Sequence, residues 1–549
     1  MVLGRSYFLL LGILTAGLCQ HTFAIRSVRL LDISSVQHED GTEEESWHDV
    51  EELYIEQKLD HPPSAEQPTS SLTFSQRYFY SSRYVNPSSK DPAFAFLCVG
   101  GEGPGLDKSV LVDSVHCTGD MLELAAKLFH EHDMSVHVFA LEHRYYGKSY
   151  PVFSGDDDID GSTSSPVTNE HLVYLSSRQA QADLAHFIQV SNEQYFTDKV
   201  KWITFGGSYP GMMAAWARLL YPDLVFAAVS NSAPIQVTVD FPQYKNHVSF
   251  DLQYETVGGS TECLNVVKKG HEQILSTLEI GDISTISNFF QICNGTQELL
   301  IPSNVQAFLG DGVIEVPAQE NDPSCDTDLC NIDKLCSALI EEQEKSSPME
   351  ALAAIAKRQR ADDESSCVSI SWKDTLEFLK SPAAQGGGLR SWLWQTCTEM
   401  GFFQTCEEST CPFARGYHRL TLDFDICQQA FGINPSRVTQ SVQDTLKYYG
   451  GLDIPATRIL SVNGNVDPWA ELARTSDSDP KNDDLPTHWV QGASHHFWTH
   501  KSNDTDSKEV RNAREIIYLQ VIKWLEIEPQ VQSDSIISNI GNLRTTNIV

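Results

Sequence analysis

Three residues have the types and chain order of a nucleophile, its orienter and its base. Ser208 lies in Gly206-Gly-Ser-Tyr-Pro-Gly211, between an apolar run that reads as a strand, 200–205, and a helical stretch, 212–220. A serine on a tight strand-to-helix turn stands exposed above a sheet edge. Small neighbours let strand and helix approach, and the N–H of the next residue, here Tyr209, together with the helix N-terminus favours developing negative charge. The string departs from G-x-S-x-G: Pro210 stands two residues after the serine, and Gly211 follows it. Asp467 follows the apolar run 458–462, in Asn463-Gly-Asn-Val-Asp-Pro-Trp469. His495 follows the run 488–490, in Gln491-Gly-Ala-Ser-His-His496. In acyl-transfer chemistry His495 takes the Ser208 proton and returns it to the leaving amine, while Asp467 holds the imidazole tautomer and stabilises the imidazolium. Taken singly, each residue has a plainer reading: a Gly-rich turn, an Asx turn before proline, and one of 18 histidines. Three matches in this order, each on a loop after a strand, make those readings weak.

Metal chemistry fits less well. Asn463, Asn465 and Asp467 alternate like calcium ligands, but Pro468 occupies the place of the required glycine and Arg474 that of the bidentate glutamate. His495, His496 and His500 lack the H-E-x-x-H helix pattern. Cys325, Cys330 and Cys336 have zinc-like spacing, but the compartment argues for disulfides. No metal and no organic cofactor is expected.

The elements that must position the three residues alternate. Apolar runs at 93–99, 135–141, 200–205, 225–229, 458–462 and 488–490 read as strands, and 176–190, 212–220 and 509–525 carry helical spacing. Such alternation predicts an α/β class with a parallel sheet. Between 246 and 430 the texture is helical, loop-broken and rich in cysteine, which predicts an inserted helical cap stapled by disulfides. The expected organisation is a signal peptide at 1–24, a propeptide or N-terminal arm at 25–71, and the first part of the sheet domain at 72–245. The cap follows at 246–430, then the second part of the domain at 431–530 and a polar tail at 531–549.

Composition narrows the surroundings. The chain has 549 residues, with 39 Lys+Arg against 74 Asp+Glu and a net charge of −35, which repels nucleic acid and anionic lipid. Arg5 followed by the short apolar run 7–19 reads as a secretory leader and is too short for a stable membrane span. Removing the leader takes Cys19 with it. Twelve cysteines then remain, an even number that predicts disulfides whose connectivity cannot be deduced from spacing. Asn294 and Asn503 open glycosylation sequons. The expected location is the secretory pathway, either lysosomal/endosomal or secreted.

Longer strings sharpen this. Phe74-Ser-Gln-Arg-Tyr-Phe79, Gly100-Gly-Glu-Gly-Pro104, Glu142-His-Arg-Tyr-Tyr-Gly-Lys-Ser149, Tyr174-Leu-Ser-Ser-Arg-Gln-Ala180, Gln395-Thr-Cys-Thr-Glu399 and Asp467-Pro-Trp469 run across about 72–525. Through them the chain resembles the serine peptidase family of lysosomal prolyl carboxypeptidase, dipeptidyl peptidase II and thymus-specific serine protease, nearest the thymus-specific branch. The resemblance implies an α/β-hydrolase fold with an inserted, disulfide-rich helical cap. It carries the family's nucleophile onto Ser208, its aspartate onto Asp467 and its histidine onto His495, with His496 the weaker choice. It implies cleavage of peptides near proline, by an exopeptidase rather than an endopeptidase, with Met212 and Trp469 lining the proline pocket; Glu102 and Glu399 either position a peptide terminus or serve as buried structural carboxylates. Tyr209 and the segment Gly101, Glu102, Gly103 are the candidate oxyanion donors. Peptide substrates are the implied partners; a homodimer stays open. An esterase or lipase on the same fold competes with this reading, because fold does not choose substrate. A non-catalytic hydrolase-like binding protein is a third reading, although such proteins usually lose the serine or the histidine.

Overall fold

Alternate residues along each strand point to opposite faces of a sheet that is covered on both sides. In the strand Phe94–Val99, Phe94, Phe96 and Cys98 join one apolar cluster, while Ala95, Leu97 and Val99 join another. The computed structural model describes residues 49–62, 71–88, 93–154, 163–361, 367–476 and 484–528. The expected leader 1–24, the tail 531–549, and 25–48 and 63–70 of the expected arm lie outside the described residues.

The sheet has eight strands: β1 Glu51–Lys58, β2 Thr73–Tyr84, β3 Phe94–Val99, β4 Val136–Leu141, β5 Lys201–Gly207, β6 Val225–Asn231, β7 Ile459–Gly464 and β8 Thr487–Val490. Their order is β1-β2-β4-β3-β5-β6-β7-β8. β2 pairs antiparallel with both β1 and β4, and every other pairing is parallel. The register brings the carboxyl ends of the parallel strands together: Val99 faces Leu141, Gly207 faces Asn231 and Gly464 faces Val490. Six consecutive strands thus empty onto one edge. This is the α/β-hydrolase fold.

Helix α1 (Glu123–His132) packs on one face of the sheet, and α2 (Ser177–Tyr195) and α3 (Tyr209–Leu220) pack on the other. Between β6 and β7 the chain leaves the sheet and becomes helical. It forms α4 (Pro242–Asp251), α5 (Thr261–Glu279), α6 (Ile332–Lys345), α7 (Pro348–Arg358), α8 (Leu420–Phe431) and α9 (Pro435–Tyr449). Helices α5 to α7 share a separate core that includes Val267, Ile274, Leu335, Leu339, Leu352 and Ile355. Helix α9 returns to the sheet side, where Tyr449 stacks on Trp216 of α3 at 3.7 Å. Helix α10 (Lys508–Leu525) then covers the first face through Val510, Ile517, Val521 and Leu525.

All twelve cysteines beyond Cys19 are paired: 98–117, 263–336, 293–367, 325–330, 397–427 and 406–411. Cys98–Cys117 ties the end of β3 to the segment before α1, and Cys263–Cys336 ties α5 to α6. Six disulfides are the mark of an oxidising compartment, so the chain is a secretory-pathway protein. Among the described residues no helix is long and apolar enough to cross a membrane.

One difference from the sequence reading concerns the arm. Residues 51–58 form β1, so the sheet begins well before 72. The segment reads Glu-Glu-Leu-Tyr-Ile-Glu-Gln-Lys, and half of its residues are exposed. An edge strand has no neighbour to cover one side, so it carries no apolar run to announce itself.

Charged residues fasten this scaffold. Arg144, fully buried, sets Nε and Nη2 each 2.6 Å from the two carboxylate oxygens of Asp183 on α2, and donates as well to the carbonyls of Leu59 and Tyr174. Asp183→Ala would strand that guanidinium in the interior. It is expected to lower the unfolding free energy by about 3–5 kcal/mol, read as an earlier midpoint in urea.

Candidate active site

The turn after β5 places Ser208 at φ 61°, a conformation that non-glycine residues seldom adopt. Two backbone bonds hold it there: Ser208 N–H donates to Asn231 O at 2.9 Å, and Met212 N–H donates to Ser208 O at 3.0 Å. The strained turn lifts the serine side chain to the sheet edge, as an exposed nucleophile requires. Neighbouring loops close on this turn. A Cβ on Gly101 would stand 2.4 Å from Pro210 Cγ, so the loop after β3 lies directly against the start of α3. A Cβ on Gly207 would stand 2.7 Å from His496 Cγ, so the loop after β8 does the same from the other side.

Asp467 and His495 meet across two loops. His495 Nδ1 lies 2.8 Å from Asp467 Oδ2, with both side chains buried. Asp467 Oδ1 accepts from Trp469 N–H at 3.0 Å, which caps the short helix Pro468–Leu472 and aims the carboxylate. An ionised carboxylate only accepts, so Nδ1 carries the proton and Nε2 is left to act as an acceptor. His495 Nε2 is enclosed and has no hydrogen-bond partner among the described residues. Among the described residues His496 meets no such carboxylate. Its Nδ1 sits 3.1 Å from Thr499 Oγ1, and burial pushes the ring well below the usual histidine value.

Tyr209 is anchored through its side chain. His143 Nδ1 lies 2.7 Å from the Arg144 carbonyl and must donate to it, so Nε2 accepts from Tyr209 OH at 3.0 Å. Burial takes His143 down to about 4, which keeps this neutral tautomer. Gln395 Nε2 donates to the same hydroxyl at 2.9 Å. The backbone N–H of Tyr209 is in the first turn of α3, where no intrahelical acceptor exists.

A cavity of about 950 Å³ opens over Ser208. Gly100–Gly105, Tyr209 and Met212 line it, as do Trp469 and His496. Trp469 is ringed by Phe241, Tyr244 and Phe402 at centroid distances of 5.6, 5.4 and 5.3 Å, and its Nε1 donates to Gln319 Oε1 at 2.8 Å. Sequence reasoning missed Tyr244, Phe402 and Gln319. Tyr244 and Gln319 come from segments without a motif, and Phe402 stands just past the string Gln395–Glu399, at a φ of 64°.

For Glu399 the structure corrects the substrate contact and favours the structural alternative. This residue is buried and does not line the cavity; its carboxylate accepts from Ser177 N–H at 2.8 Å and Ser177 Oγ at 2.7 Å, tying residues 396–400 to the start of α2. A carboxylate already committed to a helix start is not free to hold a peptide terminus. Asn294 and Asn503 are both exposed.

Two carboxyl groups near the site are raised. Burial takes Asp120 up to about 7, although Asn231 Nδ2 donates to it at 2.7 Å, and the enclosure of Glu102 Oε2, which has no partner, takes Glu102 up to about 7. Such a group holds its proton in the folded chain while the unfolded chain releases it. Its cost is therefore absent below about pH 4, grows as pH rises towards 7, and is complete above that. Asp120→Asn removes one such group. Its melting temperature relative to wild type is expected to improve between pH 5 and 7 by a few degrees, on the order set by the unfolding entropy of large domains; an unchanged difference would contradict this.

Comparison with known proteins agrees with the geometry. The chain is similar to thymus-specific serine protease from Mus musculus, 33% identical over 499 residues, covering 86% of this chain and 91% of that protein. It is similar to the Homo sapiens protein of the same name at 32% over 407 residues, covering 72% and 75%. Lysosomal Pro-X carboxypeptidase from Mus musculus is 26% identical over 493 residues, covering 86% and 89%. The family description serine carboxypeptidase S28 matches residues 57–517, from β1 into α10 and so across every strand and loop of the site. The chain belongs to that family of serine peptidases.

Proposed function

We propose that the protein hydrolyses peptides beside proline, from a chain end, through an acyl-enzyme on Ser208. His495 Nε2 accepts the serine proton and later delivers it to the leaving amine, and Asp467 holds Nδ1–H and stabilises the imidazolium. The backbone N–H of Tyr209 and the Gly101–Gly103 segment take the oxyanion. The helical segment between β6 and β7 is the cap over the sheet edge. The observation that carries this reading is the buried Asp467–His495 pair, whose Nε2 is unpartnered, on loops at the same edge as the strained Ser208 turn. Flat rings around Trp469 and the thioether of Met212 suit a compact pyrrolidine, and the name Pro-X carboxypeptidase among the relatives points the same way. Raised carboxyls beside the site suit an acidic lumen, so a lysosomal or endosomal location is preferred to secretion.

The test is direct. The purified protein is treated with a fluorophosphonate probe, then incubated with a mixed peptide library at about pH 5 and pH 7, and cleavage sites are read by mass spectrometry. Labelling together with cuts beside proline near one terminus is expected. An unlabelled protein would refute the nucleophile, scattered internal cuts would refute the exopeptidase, and turnover of esters without any peptide would favour the esterase.

A further inference from the structure

The cavity does not end at the aromatic pocket. Beyond Tyr244 its wall is charged, formed by Lys245 of α4, Asp311 and Asp423 of α8. Behind that wall His418 is buried with Nδ1 2.8 Å from Asp311 Oδ1 and Nε2 3.0 Å from Asp423 Oδ2. A ring nitrogen facing a carboxylate must donate, so both nitrogens carry protons and His418 is an imidazolium. The two carboxylates accordingly raise it to about 10. Lys245 Nζ reaches the same Asp311 oxygen at 3.0 Å, with its side chain only 7% exposed. Two cations therefore meet two carboxylates, and the group is neutral as a whole.

Within that group Lys245 is distinctive. An ammonium has three N–H donors, and Asp311 Oδ1 is the acceptor it meets; its other neighbours are the rings of Tyr244 at 5.7 Å and Phe413 at 5.4 Å. Leaving charged donors unmatched in an interior is costly. Lys245 lies on the cavity lining, and the Asp311 oxygen it meets is shared with His418. Glu315 and Glu320, also on the lining, are exposed, where their charge is screened.

The position suits a substrate. From Lys245 Nζ to the Tyr244 ring is 5.7 Å, from that ring to Trp469 5.4 Å, and from Trp469 to the His495 ring 6.4 Å. The ammonium is thus no farther from the proposed base than about five residues of extended peptide at roughly 3.4 Å each. We infer that Lys245 is a specificity residue that binds a carboxylate of the peptide substrate. This rests on the reading of Ser208 as the nucleophile. The carboxylate can come from the peptide's C-terminus or from an acidic side chain near the cut.

Matched peptides separate these sources: one with a free C-terminal carboxylate, its C-terminal amide, and an amide with Glu beside the cleaved residues. The wild type is expected to lose about 10–100-fold in kcat/KM on going from acid to amide, mostly through KM, as for loss of a charge-assisted hydrogen bond. Recovery with the Glu peptide would support the site with a side chain as its source. Lys245→Met is expected to lose the acid-over-amide preference and Lys245→Arg to retain most of it, with fluorophosphonate labelling of Ser208 equal in both. Lys245→Gln replaces the Met variant should that fail to fold. A wild type indifferent to every carboxylate, or a Met or Gln variant that keeps the preference, would overturn the inference while labelling leaves the nucleophile standing. An unlabelled wild type would overturn both.

Discussion

Ser208→Ala is expected to abolish peptide hydrolysis, by about a million-fold in kcat, and to remove fluorophosphonate labelling altogether. Alanine removes the Oγ that would become the acyl oxygen. The variant should otherwise fold as the parent does. The bonds that hold the turn are from backbone to backbone, at 2.9 and 3.0 Å, and alanine at φ 61° is no more strained than serine. Circular dichroism and the thermal midpoint should therefore match the wild type. Residual turnover about a thousand- to ten-thousand-fold above the uncatalysed rate is expected from oxyanion donors and binding alone. Retained hydrolysis in a labelled variant would move the nucleophile elsewhere.

Asp467→Asn should cost about ten-thousand-fold in kcat with little change in KM, the scale seen when a triad aspartate becomes an amide. The carboxylate can only accept at His495 Nδ1, across 2.8 Å, which forces the proton there and leaves Nε2 basic. An amide can turn its NH₂ towards Nδ1 and make it the acceptor. The proton then sits on Nε2, and the ring cannot take a proton from Ser208. The cap to Trp469 N–H needs only the remaining oxygen, so the loop should keep its shape. Steady-state kinetics beside an unchanged melting temperature would show this; a large KM effect with kcat intact would mean that Asp467 acts on binding instead.

The strings that carry the family resemblance divide into two kinds once their contacts are known. Ser208 and Asp467-Pro-Trp469 reach the cavity or the histidine pair. Arg77 in the first string instead clasps Glu142 in the third, with Nη2 to Oε1 at 2.6 Å. Arg144 holds Asp183, and Glu399 holds Ser177. All three acids are buried, and each is held by the partner it meets. Sequence shows the acid and not the partner, which is why it leaves Glu399 between a substrate contact and a structural carboxylate. Strand β1 escaped for the opposite reason: its exposed alternation leaves no apolar signature.

The sequence by itself determined the class of fold, the oxidising compartment, and three residues on loops after strands. Periodicity of side chains, parity of cysteines and the order of a serine, an acid and a histidine are properties of the chain that need no distances. Only the tertiary structure decided which cysteine meets which, that His495 and not His496 takes the aspartate, and that Tyr244 and Phe402 pack on Trp469 with Lys245 on the same cavity lining. Those outcomes depend on how separate segments pack against one another, and that packing leaves no local pattern to read.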